Sequence, residues 1–312
     1  MMNNIICIAG PTASGKTALA VKLAQAVDGE VVSCDSMQVY KNMDIGTAKP
    51  TTEEMEGVPH YMLSVAEPTE DFSVSRYCQM AHPIVEDILY RGKTAIIAGG
   101  TGLYMDALIK GNDFAPYPST GRREELEQLA AEKGIDAVLE QLRSVDPCSA
   151  ARLHPSDQKR IIRAMEVYLE TGQTITEHNK RTAAIPPRYN PTWFALEDEV
   201  RQDLYDRIDR RVIGMLEMGL IDEIKGLLAS GVPEHATSMQ AIGYKEFVDA
   251  LENRCSIEDA TAAVQQASRH YAKRQLTWFR RNSAICWLRR GKTDTVTEIL
   301  SRALQILRKF DN

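Results

Sequence analysis

Residues Gly10-Pro11-Thr12-Ala13-Ser14-Gly15-Lys16-Thr17 place two glycines, a lysine and a threonine at the spacing of a phosphate-binding loop. No other feature limits the fold as strongly. Such a loop functions only between a buried strand and the first turn of a helix, where its amides and the helix N-terminus converge on one anion. The flanking residues meet that requirement. Ile5 to Ala9 is a short apolar run, and Lys16 to Val27 carries apolar residues at helical spacing. Glu30 to Ser33 and Thr94 to Ala98 are two more short apolar runs, and a helical pattern, Gly102 to Ile109, follows the second. The chain therefore opens as a βαβ unit of a parallel sheet.

From Asn112 the texture changes. Pro116 and Pro118 break the chain, and Arg122 to Gly172 is charged and strand-free, with helix patterns at Arg123 to Gly134, Asp136 to Val145 and Asp157 to Thr171. A Pro-rich stretch, Thr182 to Pro191, closes this block, and Trp193 to Leu196 reads as a strand rejoining the sheet. The expected class is α/β: a P-loop NTPase-like parallel sheet flanked by helices, built from residues 1–111 and 191–312, with an all-helical insertion at 112–190. Further helices are expected at Arg201 to Met218, Leu220 to Ala229 and Tyr244 to Leu251. A long one should run from the capping-box pattern Ser256-Ile257-Glu258-Asp259 to about Arg281.

The loop predicts its own chemistry. The amides of Gly10 to Gly15, with Thr12, Ala13 and Ser14 between the glycines, would cradle phosphate oxygens. Lys16 would supply charge, and Thr17 a hydroxyl for a Mg²⁺ ion. A hydrolytic P-loop protein normally ends a second buried strand in an acid that helps hold the metal and position water. The matching segment here is Ile96-Ile97-Ala98-Gly99-Gly100-Thr101, with no acid. The acid sits on another strand instead: Val31-Val32-Ser33-Cys34-Asp35 places Asp35 just past a strand C-terminus, the edge where α/β proteins bind ligands. A carboxylate beside a phosphate cradle suggests a metal ligand, or a general base for a nucleophile other than water.

At 312 residues the chain can bury a full core unaided. Its six cysteines, Cys7, Cys34, Cys78, Cys148, Cys255 and Cys286, lie far apart and form no C-x-x-C pair, so they are read as small buried hydrophobes and not as a zinc site. No apolar run approaches the roughly 18 residues of a membrane span, and the N-terminus shows no secretory signal, so a cytoplasmic monomer is expected. Net charge is −6, yet Ser268 to Lys292 holds eight basic residues and no acidic one, which leaves the remainder at −14. Such a block can attract a polyanion.

Taken together, these segments resemble one family. Gly10 to Thr17, then Asp35-Ser36-Met37-Gln38-Val39-Tyr40, Met43 to Pro50 and Gly99-Gly100-Thr101-Gly102-Leu103-Tyr104 are similar to the tRNA dimethylallyltransferases, also called tRNA isopentenyltransferases. His154-Pro155 with Lys159, Arg160 and Arg163, then Gln240-Ala241-Ile242-Gly243-Tyr244-Lys245, then Lys273 to Arg280, continue the likeness in family order, without the C-terminal zinc finger of some eukaryotic members. The resemblance implies transfer of a five-carbon allylic group from dimethylallyl diphosphate to the exocyclic amine of the adenosine 3′ of a tRNA anticodon. It implies Asp35 as general base, with Thr12 and Arg211 as further diphosphate contacts and Thr101 as a contact to the reacting nucleotide. It places the anticodon stem-loop against Asp35 to Gln38, Thr101, Arg123, Lys159-Arg160-Ile161-Ile162-Arg163 and Gln240 to Lys245.

An adenosine in a stacked loop must be extruded to reach a buried diphosphate, at a cost of a few kcal/mol that other RNA contacts offset. Basic residues on the insertion suit that task. A small-molecule kinase would share the P-loop and the acid after the second strand, but it has no need of the basic block. A non-catalytic RNA-binding protein would leave Lys16, Thr17 and Asp35 unexplained, and an enzyme acting on free adenylates would not need the basic insertion.

Overall fold

The computed structural model describes residues 5–111 and 120–310. The chain divides into two compact units, residues 1–111 with 188–312, and residues 112–187. In chain order, the first unit begins with β1 (Ile5–Ala9), α1 (Lys16–Ala26), β2 (Gly29–Ser33), α2 (Thr52–Met55), β3 (His60–Tyr61), α3 (Val74–Tyr90), β4 (Thr94–Gly99) and α4 (Gly102–Lys110). The second unit holds α5 (Arg122–Lys133), α6 (Ile135–Val145), α7 (Pro147–Ala150), α8 (Gln158–Thr171) and α9 (Ile175–Ala183). The first then resumes with β5 (Thr192–Asp198), α10 (Arg201–Glu217), α11 (Leu220–Ala229), α12 (Tyr244–Leu251), α13 (Ile257–Phe279), β6 (Ile285–Arg290) and α14 (Val296–Phe310).

The sheet has the order β3-β2-β4-β1-β5-β6, and every pairing is parallel. Parallel strands covered on both faces need apolar residues throughout. The five residues of β1 are all buried, and Cys7 pairs with Ile97 on one side and Trp193 on the other. Because all strands run the same way, the loops after β1, β2 and β4 leave the sheet along one edge, and β1 and β2 lie on either side of β4. On one face Leu19, Ala20 and Leu23 of α1 pack with Ile8, Ile96 and Phe194, and with Ile299 and Ala303 of α14. On the α3 and α4 side, the Tyr77 and Tyr104 rings lie 4.8 Å apart. Fully burying one leucine or isoleucine of this kind contributes about 1.5–3 kcal/mol.

Several elements escape the sequence reading, the short helices α2, α7 and α9 among them. α3 contains Pro83, which reads as a breaker, yet Tyr77, Cys78, Ala81, Val85 and Ile88 bury one helical stripe on either side of it. β6 is an edge strand ending in Arg289-Arg290, and its basic residues conceal it within a charged run. α14 and the two-residue β3 were likewise not expected. Of the cysteines, Cys7, Cys34 and Cys78 are buried as expected, but Cys148 is exposed and Cys255 and Cys286 are intermediate. Among the described residues no helix is long and apolar enough to cross a membrane.

The helical unit closes on its own core of Leu126, Val138, Leu139, Leu142, Ile161, Ile162 and Met165. Buried Asp146 ties α7 to α9, accepting from the Ser149 amide at 3.0 Å and from the Thr176 amide and hydroxyl at 3.1 and 2.6 Å. This unit ends at Pro187, short of the boundary at 190 read from composition. Arg188 and Tyr189 belong to the first unit, where the Tyr189 hydroxyl meets His82 Nδ1 at 3.0 Å and the Tyr189 amide donates to the Ile109 carbonyl at 3.2 Å.

Candidate active site

The loop of residues 10–15 bends through left-handed backbone at Ala13 (φ 60°) and Gly15 (φ 89°) and delivers Lys16 as the first residue of α1. That geometry turns successive amides toward one point, as anion nests do. Three arginines and a glutamine hold it from outside. Arg207 donates to the Ala13 carbonyl at 3.0 Å and pairs with buried Asp198 at 2.6 Å. Arg290 of β6 donates to the Ser14 carbonyl at 3.1 Å, and Arg211 reaches the Thr12 hydroxyl at 3.5 Å. Gln275 accepts from the Thr12 amide at 2.9 Å and donates to the Gly100 carbonyl at 2.9 Å, joining the loop to the end of β4. The Ala13 and Ser14 carbonyls are thus drawn outward, and with the Thr12 amide on Gln275 and the Ser14 amide on the Pro11 carbonyl at 3.3 Å, the other loop amides are the ones left for an anion.

The charge there is concentrated. Burial, followed by the neighbouring Arg211, pulls the Lys16 ammonium down to about 8 even though Asp35 opposes the shift. Lys16 donates to the Pro11 carbonyl at 3.4 Å. Burial also lowers Arg211, again against the attraction of Asp35. A site that disfavours its own cations is suited to receive an anion.

Asp35 sits in the loop after β2, where Oδ1 accepts from the Met37 amide at 2.9 Å and the Gln38 amide at 3.4 Å. This loop folds over the end of β4. The Cys34 amide donates to the Ala98 carbonyl at 2.8 Å, the Thr101 amide donates to the Cys34 carbonyl at 3.3 Å, and the Ser36 amide donates to Thr101 Oγ1 at 3.1 Å. Only glycine fits at 99, because a Cβ there would stand 1.9 Å from the Cys34 carbonyl oxygen. Tyr271 joins the group: burial, then Asp35, pushes its phenol up to about 12. Its ring lies 5.5 Å from the Arg274 guanidinium.

The structure thus brings together Gly10, Thr12, Ala13, Ser14, Gly15, Lys16, Thr17, Asp35, Ser36, Thr101 and Arg211. Other expected positions require correction. The Gln38 side chain is held inside the protein, accepting from the Ser33 hydroxyl at 2.9 Å and donating to the Thr47 and Ala48 carbonyls at 3.3 and 3.1 Å, so it shapes the loop and has no donor left for RNA. Ile161 and Ile162 are core residues of the helical unit, and Ala241 and Tyr244 are buried in the first unit, so their side chains offer no surface to a nucleic acid. Lys159, Arg160, Arg163, Gln240 and Lys245 are exposed. Arg160 pairs with Asp157 at 2.6 Å, and Arg123 and Arg163 share the nearly buried Glu166 at 3.2 and 3.1 Å. The basic C-terminal stripe is also dispersed. Arg269 pairs with Asp209 at 2.5 Å, Arg280 with Glu197 at 2.5 Å, and Arg290 turns to the phosphate loop. Phe279 is core, and the Trp278 indole donates to Asp106 at 3.0 Å. Gln275, Arg207 and Arg290 were not assigned to the site from sequence, because their roles depend on contacts that span about 190 to 280 residues of chain.

Comparison with known proteins identifies one family. The profile of a family described as IPP transferase matches residues 38–282, beyond the phosphate loop itself. A tRNA dimethylallyltransferase of Thermoanaerobacter sp. (strain X514) is 45% identical over 289 residues, 92% of each chain. That of Acetivibrio thermocellus is 41% identical over 310 residues, 99% of each chain. The solved tRNA isopentenylpyrophosphate transferase of Bacillus halodurans superimposes with a TM-score of 0.74 at 41% identity, covering 99% of this chain and 97% of that one. A solved eukaryotic dimethylallyltransferase acting on tRNA gives a TM-score of 0.81 at 30% identity, covering 98% of this chain and 79% of that one.

Proposed function

This chain belongs to the IPP transferase family and is a transferase, and from that footing we propose a specific reaction for it. It moves the dimethylallyl group of dimethylallyl diphosphate onto the exocyclic amine of the adenosine 3′ of the anticodon in tRNA. It works as a cytoplasmic monomer, with the exposed basic residues of the helical unit, Arg123, Lys159, Arg160 and Arg163, on the anticodon stem-loop. Gln240 and Lys245 add contacts from the first unit.

The observation that carries the mechanism is the juxtaposition of one carboxylate, Asp35, with the cationic cradle of Lys16 and Arg211, at a sheet edge where β4 ends without an acid. The carbon–oxygen bond of the donor breaks as the adenine nitrogen attacks, and negative charge develops on the departing diphosphate. The loop amides, Lys16 and Arg211 stabilise that charge. The amine is a weak nucleophile that becomes cationic only as the new bond forms. A carboxylate cannot ionise it in advance but can take its proton late, and Asp35 fills that role. The amides of Met37 and Gln38 on Oδ1 fix the carboxylate's direction. Thr101, bonded to Ser36, keeps this loop closed against the start of α4 and faces the nucleotide.

The oxygen donors here suit Mg²⁺, which prefers few protein ligands and several phosphate oxygens. Among the described residues no cluster of three or more His, Cys, Asp or Glu could cage a metal alone. The Thr17 hydroxyl and the diphosphate would hold the ion, which supplies charge neutralisation on the leaving group. Incubation with Mg²⁺, dimethylallyl diphosphate and unmodified tRNA should yield an isopentenylated adenosine by nucleoside mass spectrometry. Vigorous ATP hydrolysis without such a product would reverse the reading.

A further inference from the structure

Glu223 of α11 is a carboxylate inserted among backbone amides far from its own helix. Its Oε2 accepts from the amides of Asp44 at 2.8 Å and Ile45 at 2.7 Å, and its Oε1 accepts from the amide of Gly46 at 3.1 Å and the hydroxyl of Tyr244 at 2.6 Å. Four donors on one carboxylate make an unusually firm grip, since each bond is charge-assisted. Tyr244 is fully buried, and burial with the adjacent Glu223 pushes its phenol far up, so it remains a donor at every working pH. The fit is tight. A Cβ on Gly46 would stand 2.5 Å from the Tyr244 ring.

The gripped segment is not an isolated surface loop. Within it the Thr47 hydroxyl donates to the Met43 carbonyl at 2.6 Å, and Lys49 donates to the Tyr40 carbonyl at 2.7 Å. The next two carbonyls, those of Thr47 and Ala48, receive the Gln38 amide, and the Gln38 backbone donates to Asp35 Oδ1. Hydrogen bonds alternating with short stretches of covalent chain therefore connect Glu223, through the Gly46 amide, the Thr47 and Ala48 carbonyls and Gln38, to the carboxylate of Asp35.

We propose that Glu223 and Tyr244 are positioning residues that set the direction of the Asp35 carboxylate through residues 44–48 and Gln38. The proposal rests on Asp35 as general base and adds what holds it. An error of about 1 Å in a catalytic group costs on the order of 10² in rate. The latch should therefore appear in kcat, with little change in the affinity of the separately held phosphate loop.

The test uses the full chain with saturating dimethylallyl diphosphate and tRNA. The kcat, the Kd of inorganic pyrophosphate and Tm are measured for Glu223→Gln, Tyr244→Phe, Gln38→Ala, the Glu223→Gln/Gln38→Ala double variant and Asp35→Asn. Glu223→Gln turns an amide group toward backbone donors and should slow transfer by about tenfold or more, with pyrophosphate affinity within about twofold. The double variant should be no slower than the slower single, because both changes cut the same path. A lowered Tm with the rate retained in Glu223→Gln would reduce Glu223 to a structural role, and multiplicative losses in the double would also overturn the proposal. Should Glu223→Gln fail to fold, Tyr244→Phe decides, since it keeps the ring and removes one bond. A fewfold loss of kcat at unchanged pyrophosphate affinity supports the latch, and an unchanged kcat refutes it. Asp35→Asn separates the two claims. If it keeps the rate, the general-base reading falls and the latch with it, whereas a dead Asp35→Asn beside a fully active Glu223→Gln removes the latch alone.

Discussion

Replacing Lys16 by methionine should remove the lysine's share of the pH dependence of diphosphate binding as well as weaken the binding. In the folded protein the ammonium is held down to about 8 by burial, with Asp35 opposing and Arg211 adding to the shift. A bound diphosphate favours the charged form, so binding draws a proton onto whatever fraction of Lys16 is neutral, and affinity must fall as pH rises through that value. Between pH 7.5 and 9.5 the charged fraction of Lys16 drops enough to raise the Kd of inorganic pyrophosphate by roughly 25-fold relative to the slope set by the ligand's own last ionisation. Lys16→Met should keep only the ligand's slope. At pH 7, loss of a charge-assisted bond worth about 1.5–3 kcal/mol should weaken binding roughly 10- to 150-fold, and the gap should narrow toward pH 9.5. Stability moves the opposite way. The unfolded chain binds more protons than the folded one between about 8 and 10.5, so native stability rises with pH across that window, and Lys16→Met should melt higher than the native chain below it. Titration calorimetry in buffers of different ionisation enthalpy reads proton uptake directly. A native Kd that follows the ligand's slope alone from pH 7.5 to 9.5, or a variant with the native slope, would refute the account of Lys16.

The other expectations are briefer. Asp35→Ala should lower turnover by about 10² to 10⁴ and leave tRNA affinity nearly unchanged, and turnover within a fewfold of native would remove Asp35 from the mechanism. Glu30, buried at the far end of β2 and bonded to Arg91, Tyr61 and Lys93, is pulled down to about 2, chiefly by Arg91. Its contribution is complete above the ordinary carboxylate range and is lost as pH falls from about 4.5 toward 2, so Glu30→Gln should cost about 3 kcal/mol in urea unfolding at pH 7 and much less near pH 2.5. Joint replacement of Lys159, Arg160 and Arg163 by alanine should raise the tRNA KM, flatten its salt dependence and leave pyrophosphate binding unchanged. An unaltered salt slope would move the RNA contacts elsewhere.

How much of this was legible in the sequence depended on the range of the interactions. The phosphate loop was readable because its parts are contiguous and its flanks periodic, and Asp35 because a strand's end is visible two residues before it. The latch was not readable. Glu223 looks like an ordinary first-turn acid of α11, and only the fold brings the amides of residues 44–46 to it. Tyr244 lay within a segment expected to touch RNA, yet its phenol points to a carboxylate indoors, and in the same hexapeptide only Gln240 and Lys245 are exposed. The basic stripe misled for a related reason. Charge counts along a chain say nothing of the partners waiting across it, and Asp209, Glu197 and the Ser14 carbonyl had already claimed Arg269, Arg280 and Arg290. α3 was hidden by Pro83, whose penalty is local while the packing of Tyr77, Ala81, Val85 and Ile88 is not.

The missing acid on β4 has a steric cause that also explains why Asp35 stands where it does. In a P-loop fold the end of this strand faces the phosphates, and a carboxylate there would organise water and metal for hydrolysis. Here that place is roofed by another loop: Cys34 bonds to Ala98 and Thr101 to Cys34, and a Cβ at Gly99 would strike the Cys34 carbonyl at 1.9 Å. No side chain fits at that position. The loop that displaces it carries the acid one residue later, still at the sheet edge and still within electrostatic reach of Lys16 and Arg211. The carboxylate stands instead on the segment after β2, where the Met37 and Gln38 amides hold it and the Ser36–Thr101 bond holds its loop. In the proposed reaction, Asp35 on this roof over the cradle would meet a nucleophile that enters from outside the sheet, as an extruded nucleobase must, and the phosphate loop would be left to bind the leaving group.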